Sequence, residues 1–142
     1  MTGTPTPGDY CCSPFSHERE SAAPGYYQVF LDRYGVDAQL SSTLRCAFHK
    51  YTYPAGAAAS LLADLQRSNE HVRAWDIRKE GDNVFAGWQQ TGEKMYFYAV
   101  ANRPVTGVEP VVEGDREVRI VRFGEGDGAL ELRIGFSFVS EK

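Results

Sequence analysis

No apolar run in these 142 residues approaches the ~20 needed to span a bilayer, so no membrane span is expected. Basic residues are too few and too scattered for a nucleic-acid face: 15 Lys and Arg stand against 19 Asp and Glu, for a net charge of -4. Neutralising phosphates needs clustered cations, so no nucleic-acid partner is expected. Cysteine is scarce. Cys11 and Cys12 are neighbours, which makes a mutual bridge strained, and no fourth ligand at zinc spacing joins them and Cys46. No metal site is therefore assigned, and Cys46 reads as a small core residue. The opening MTGTPTPGDY lacks the basic and apolar regions of a signal peptide. Repeats, low-complexity tracts and a convincing long helix are also missing.

Aromatic side chains are abundant, at 13% with eight Tyr and eight Phe, and they favour strands. Residues 1–14, rich in Pro and Gly, read as an irregular lead-in. From Tyr26 the apolar period is close to two. Val29 and Leu31 precede Gly35, a hairpin signal, and Val36, Ala38 and Leu40 follow it. Asn83–Gln89 and Lys94–Ala101 flank Thr91-Gly92. Leu130, Leu132, Ile134, Phe136 and Phe138 fall on one face of a closing strand, with Glu131, Arg133, Gly135 and Ser137 on the other. Val118 and Ile120 repeat the pattern before it, and Gly124 to Gly128 supply a flexible turn between the two. Residues 57–70 contain helix formers, yet a strand over Ala59–Asp64 is favoured, because propensity is a weak prior beside sheet context. Pro104 and Pro110 make the stretch from Arg103 to Glu113 an edge strand or loop. Short strands at even spacing indicate an all-β chain folded as an antiparallel β-sandwich over residues 15–142.

Few residues offer chemistry. Glu18 and Glu20, beside His17, are the closest carboxylate pair on offer, but close sequence neighbours seldom lie on opposite sides of a sugar ring. No catalytic residue is assigned. Neither a Gly-x-Ser-x-Gly nucleophile context nor the Lys and helix of a phosphate cradle after Gly124 is present. In Leu44–Tyr53, alternation puts Leu44, Cys46 and Phe48 on one face, read as core, and Arg45, Ala47, His49, Tyr51 and Tyr53 on the other. The second set suits sugar stacking, contact with another domain, or a buried central strand whose His49 is hydrogen-bonded. Trp75 and Trp88 are either core aromatics or sugar platforms.

The pattern Ser-His-x-x-Glu-x-Ala-x-Pro-Gly-Tyr-Tyr, here Ser16, His17, Glu20, Ala22, Pro24, Gly25, Tyr26 and Tyr27, resembles the N-terminal β-domain of glycoside hydrolase family 92. A second block, Thr43, Arg45, His49, Tyr51 and Pro54, falls at the family's spacing, and Trp88 lies in its Gly-Trp pattern. Leu44 stands where the family often has Glu. The resemblance covers roughly Phe15 to Ser140, and it implies a galactose-mutarotase-like supersandwich. The family's β-domain has further strands before the first block, so the sandwich is expected to be incomplete at its N-terminal side. It also implies part of a calcium-dependent, exo-acting, inverting α-mannosidase acting on mannose-containing glycans. In that family the catalytic carboxylates and the calcium ligands belong to an α/α-barrel domain, the expected partner. This chain by itself would then hold no cofactor and be inactive. His17, Glu20, Arg45, His49 and Trp88 become candidates for the pocket or the domain contact. Full-length relatives are secreted, periplasmic or on the cell surface, which leaves the location of this chain open. The alternative is a stand-alone carbohydrate-binding or structural sandwich.

Overall fold

The computed structural model describes residues 13–126 and 128–140. After a single 3-10 turn at His17–Arg19, the chain forms β1 (Glu20–Ala23), β2 (Tyr26–Leu31), β3 (Val36–Ser42), β4 (Cys46–Thr52), β5 (Ser60–Ala63) and β6 (Ala74–Gly81). It continues through β7 (Val84–Gln90), β8 (Lys94–Ala101), β9 (Val105–Glu113), β10 (Arg116–Phe123) and β11 (Leu130–Ser137). Every pairing is antiparallel. An eight-stranded sheet runs β1-β2-β3-β4-β11-β8-β7-β6, and a three-stranded sheet runs β5-β10-β9. The two pack into an antiparallel β-sandwich.

Local chemistry sets the corners. Pro24 and Gly25 link β1 to β2, and Gly25 has φ +76°, the left-handed corner that glycine takes without strain. Gly35 does the same between β2 and β3, with φ +63°. The strand over Ala59–Asp64 forms, as β5, because Leu61 and Ala63 pack on the core and β10 supplies its ladder. The segment with Pro104 and Pro110 becomes β9, an edge strand, where a missing N–H is tolerated.

The core lies between the small sheet and the β11-β8-β7-β6 half of the large one. Ile77, Phe85, Ala99, Ala101, Leu130 and Leu132 meet Val105, Val121 and Phe123 there. Two polar ties hold β5 in place. Tyr53 Oη donates to the Ser60 carbonyl at 2.8 Å, and Gln89 Nε2 donates to the Leu65 carbonyl at 2.7 Å.

Three sequence expectations are corrected. Cys46 is exposed, not core, and Leu44 is 95% exposed. The faces of β4 are reversed: Tyr51 and Tyr53 pack against the core, while Cys46 and Phe48 turn outward. Pairing decides this, because β11 places core Leu130 and Leu132 opposite Tyr51 and His49, and a one-residue change of register inverts every side chain. The strands on either side of Gly124, β10 and β11, lie in different sheets. Strand β6 went unread, because only Trp75 and Ile77 mark its alternation.

Candidate functional site

The two motif blocks meet at one corner of the large sheet. The β1–β2 hairpin sets Ala22 opposite Tyr27, which brings the Tyr27 phenol across to Glu20. Tyr27 Oη donates to Glu20 Oε1 at 2.5 Å, and His17 Nδ1 lies 2.6 Å from Glu20 Oε2. Both carboxylate oxygens are thus engaged. The Tyr27 hydrogen bond, followed by that of His17, holds the Glu20 carboxyl below the usual range. The same bond pushes the Tyr27 phenol up. Ser16 caps the turn, with its Oγ accepting from Glu18 N–H at 3.2 Å, and Arg19 pairs with Asp32.

From Tyr27 the pairing runs through Leu40 of β3 to His49 of β4. Two strand spacings, about 9.6 Å, separate Tyr27 from His49 on one face. Between them lies a hollow of about 430 Å³ whose lining includes Ala23, Tyr27, Leu40, Ala47 and His49. Burial lowers the His49 pKa and raises that of Tyr51 to about 12. The imidazole is therefore neutral near pH 7, and Tyr51 remains a protonated phenol. Their 3.0 Å contact joins Tyr51 Oη and His49 Nδ1 and fixes the ring's orientation. A neutral imidazole on the wall of the hollow suits recognition of hydroxyls or of another protein surface.

The other candidates stand apart. Arg45 is exposed and lines a separate hollow beside Cys46, Tyr98 and Gly135. Trp88 lies on β7, three strands from β4, roughly 14 Å away. The Lys94 ammonium sits 3.8 Å from its ring centroid and 5.0 Å from that of Tyr96. The chain's own cation thus covers the face that a sugar would stack on. Trp75 packs on the core with the Arg119 guanidinium 4.6 Å from its ring centroid.

Glu18 is exposed, and no carboxylate faces Glu20 across the hollow. A general acid must hold its proton near the working pH, and Glu20, held low by Tyr27 and His17, is ionised instead. Among the described residues no group of three His, Cys, Asp or Glu side chains could hold a metal ion. Tyr27 had no assigned role in the sequence and Tyr51 was read only as one of the set beside His49, although the Gly-Tyr-Tyr and His-x-Tyr spacings already held them.

A family model of the glycosyl hydrolase family 92 N-terminal domain matches residues 2–137. The chain belongs to glycosyl hydrolase family 92. Its fold is shared with the family's solved structures. The GH92 α-mannosidase BT3965 from Bacteroides thetaiotaomicron superposes with a TM-score of 0.78 at 23% identity, over 91% of this chain and 21% of that one. The inverting mannosidase BT2199 from Bacteroides thetaiotaomicron VPI-5482 gives a TM-score of 0.72 at 21% identity, over 90% and 19%. The GH92 glycosyl hydrolase ccman5 gives 0.71 at 23%, over 88% and 20%. No curated protein matches the chain in sequence. The chain spans about a fifth of the length of these solved relatives. It corresponds to the family 92 N-terminal domain, and no helix among the described residues is long and apolar enough to cross a membrane.

Proposed function

We propose that this chain is the sandwich portion of an exo-acting, inverting α-mannosidase that removes terminal α-linked mannose, with α-1,2 linkages as the expected substrate. The chemistry belongs to an α/α-barrel domain outside this sequence, which would supply the acid, the base and any calcium ligands. One observation carries the reading: the family match over residues 2–137 coincides with the convergence of both motif blocks on the Tyr27–His49 hollow. Ligand pockets form preferentially where domains meet, so this hollow is the surface that would face the barrel. His49 in its wall, and His17, Glu20 and Arg45 outside its lining, act by docking or by shaping the pocket mouth. Tyr27 holds Glu20, and Tyr51 orients His49.

The isolated chain should release no mannose from α-1,2-mannobiose, with or without calcium, because inversion needs two carboxyls roughly 6.5–9.5 Å apart across the bond. In the full-length protein, His49→Ala should raise KM or loosen the domain contact before it slows turnover. Mannose release by the 142 residues alone, or a His49→Ala effect confined to kcat, would overturn the assignment.

A further inference from the structure

The glycines after β10 have no cation beside them in the sequence, but the fold brings one from elsewhere. Arg103, in the short link between β8 and β9, lines a hollow of about 410 Å³ together with Gly124 and Gly126. Ala57, Ala58 and Ala59 of the β4–β5 link form an apolar wall of the same hollow, and Phe123 adds to it. The volume falls in the range of small-molecule sites, which are mainly apolar with a few placed polar groups.

Hydrogen bonds stitch these links together. Asn102 Nδ2 donates to the Ala129 carbonyl at 2.9 Å, and Asn102 Oδ1 accepts from Glu131 N–H at 3.0 Å. Gly124 N–H donates to the Pro104 carbonyl at 2.8 Å, and Phe123 N–H to that of Ala59 at 3.1 Å. The walls are therefore held before any ligand arrives, which lowers the ordering cost of binding.

The Arg103 guanidinium is only partly used. Its Nη2 donates to the Gly128 carbonyl at 2.8 Å, whereas its Nε is buried with no hydrogen-bond partner among the described residues. A buried donor left unpaired is costly. Gly126 is what admits the group so closely, because an added Cβ there would stand 3.0 Å from Nε and 3.2 Å from Cζ. A guanidinium carries its N–H donors in a rigid planar fork that matches the two oxygens of a carboxylate. Glu125, exposed on the same hollow, disfavours a dianion such as phosphate beside this single cation.

We propose that this hollow binds a small organic carboxylate, its oxygens on Arg103 and its carbon chain against Ala57, Ala58 and Ala59. The site is separate from the Tyr27–His49 hollow, with which it shares no lining residue.

Isothermal titration of the full-length protein with acetate, butyrate and inorganic phosphate tests the proposal. Butyrate should bind with a Kd on the order of 1 mM, as suits so small a ligand. Each methylene gained from acetate to butyrate should tighten binding by about fourfold as it meets the alanine wall. Arg103→Gln should weaken butyrate by at least about tenfold, since the charge and the fork are both lost. Glu125→Gln should tighten it, by removing a like charge. Ala58→Leu fills the hollow from an exposed position, so it should weaken butyrate while the thermal transition stays in place. That variant decides the matter if Arg103→Gln unfolds. Phosphate binding as tightly as butyrate would overturn the proposal. So would the absence of saturable butyrate binding, or affinity unchanged by Ala58→Leu.

Discussion

The two ends of β11 present the same kind of side chain to the same side of the large sheet. Leu130 and Leu132 are 0% and 1% exposed, while Phe136, two and three alternations further on, is 38% exposed. The first end lies beneath β5 and β10, and the second runs past the small sheet's cover. A similar contrast separates the β11-β8-β7-β6 half, which holds the main core cluster, from β1 to β4, where Tyr27, Leu40 and His49 line an open hollow. Alternation thus decides which way a side chain points. It does not decide whether anything waits to meet it.

The largest expected effect tests this difference along β11. Leu130→Ala or Leu132→Ala should destabilise the chain by about 2–5 kcal/mol in urea unfolding, through lost burial and a residual cavity. Phe136→Ala should fall within about 1 kcal/mol, because its ring already meets solvent. Equal losses would mean that the exposed end is packed in solution.

Two glycines sharpen the same point at smaller scale. At Gly87 an added Cβ would meet the Asp76 carbonyl oxygen at 2.2 Å and the Phe97 ring at 2.9 Å. Gly87→Ala should therefore lose roughly 1–3 kcal/mol by overpacking. Gly135 has open space, so Gly135→Ala should be neutral or stabilise by up to about 1 kcal/mol, as strand glycines lose more backbone freedom on folding. A similar melting temperature for the two variants would remove the distinction between filled and open faces.

The smallest effect concerns pH at the open corner. Burial holds the His49 pKa below its ordinary 6.5 in the folded state. As pH falls through 6.5 the unfolded chain takes up this proton first, so stability declines and levels off beneath the folded value. His49→Gln should flatten that part of the profile in denaturation midpoints measured between pH 7 and 5. An unchanged slope would show that the ring is as well solvated as in the unfolded chain.

Much of the fold was legible in the residues. The alternation of Val36 to Leu40 and of Leu130 to Phe138, the glycines at 25 and 35, and the prolines guarding β9 all led to the strands that form. The face of β4 was not legible, because Leu44, Cys46 and Phe48 look as apolar as the true inward set. The site was half legible. The motifs held His17, Glu20 and His49, but the engagement of Tyr27 with Glu20 needs the β1–β2 register, and that of Tyr51 with His49 needs burial that the sequence does not state.

By itself the sequence determined the family and the β architecture, since these follow from residue types at fixed spacing. Only the tertiary structure decided that Cys46 is exposed, that Lys94 covers Trp88, and that β10 and β11 part into different sheets. The physical reason is that such outcomes depend on which strand pairs with which and on what covers each face. Those contacts join residues far apart in the chain, and no local pattern encodes them.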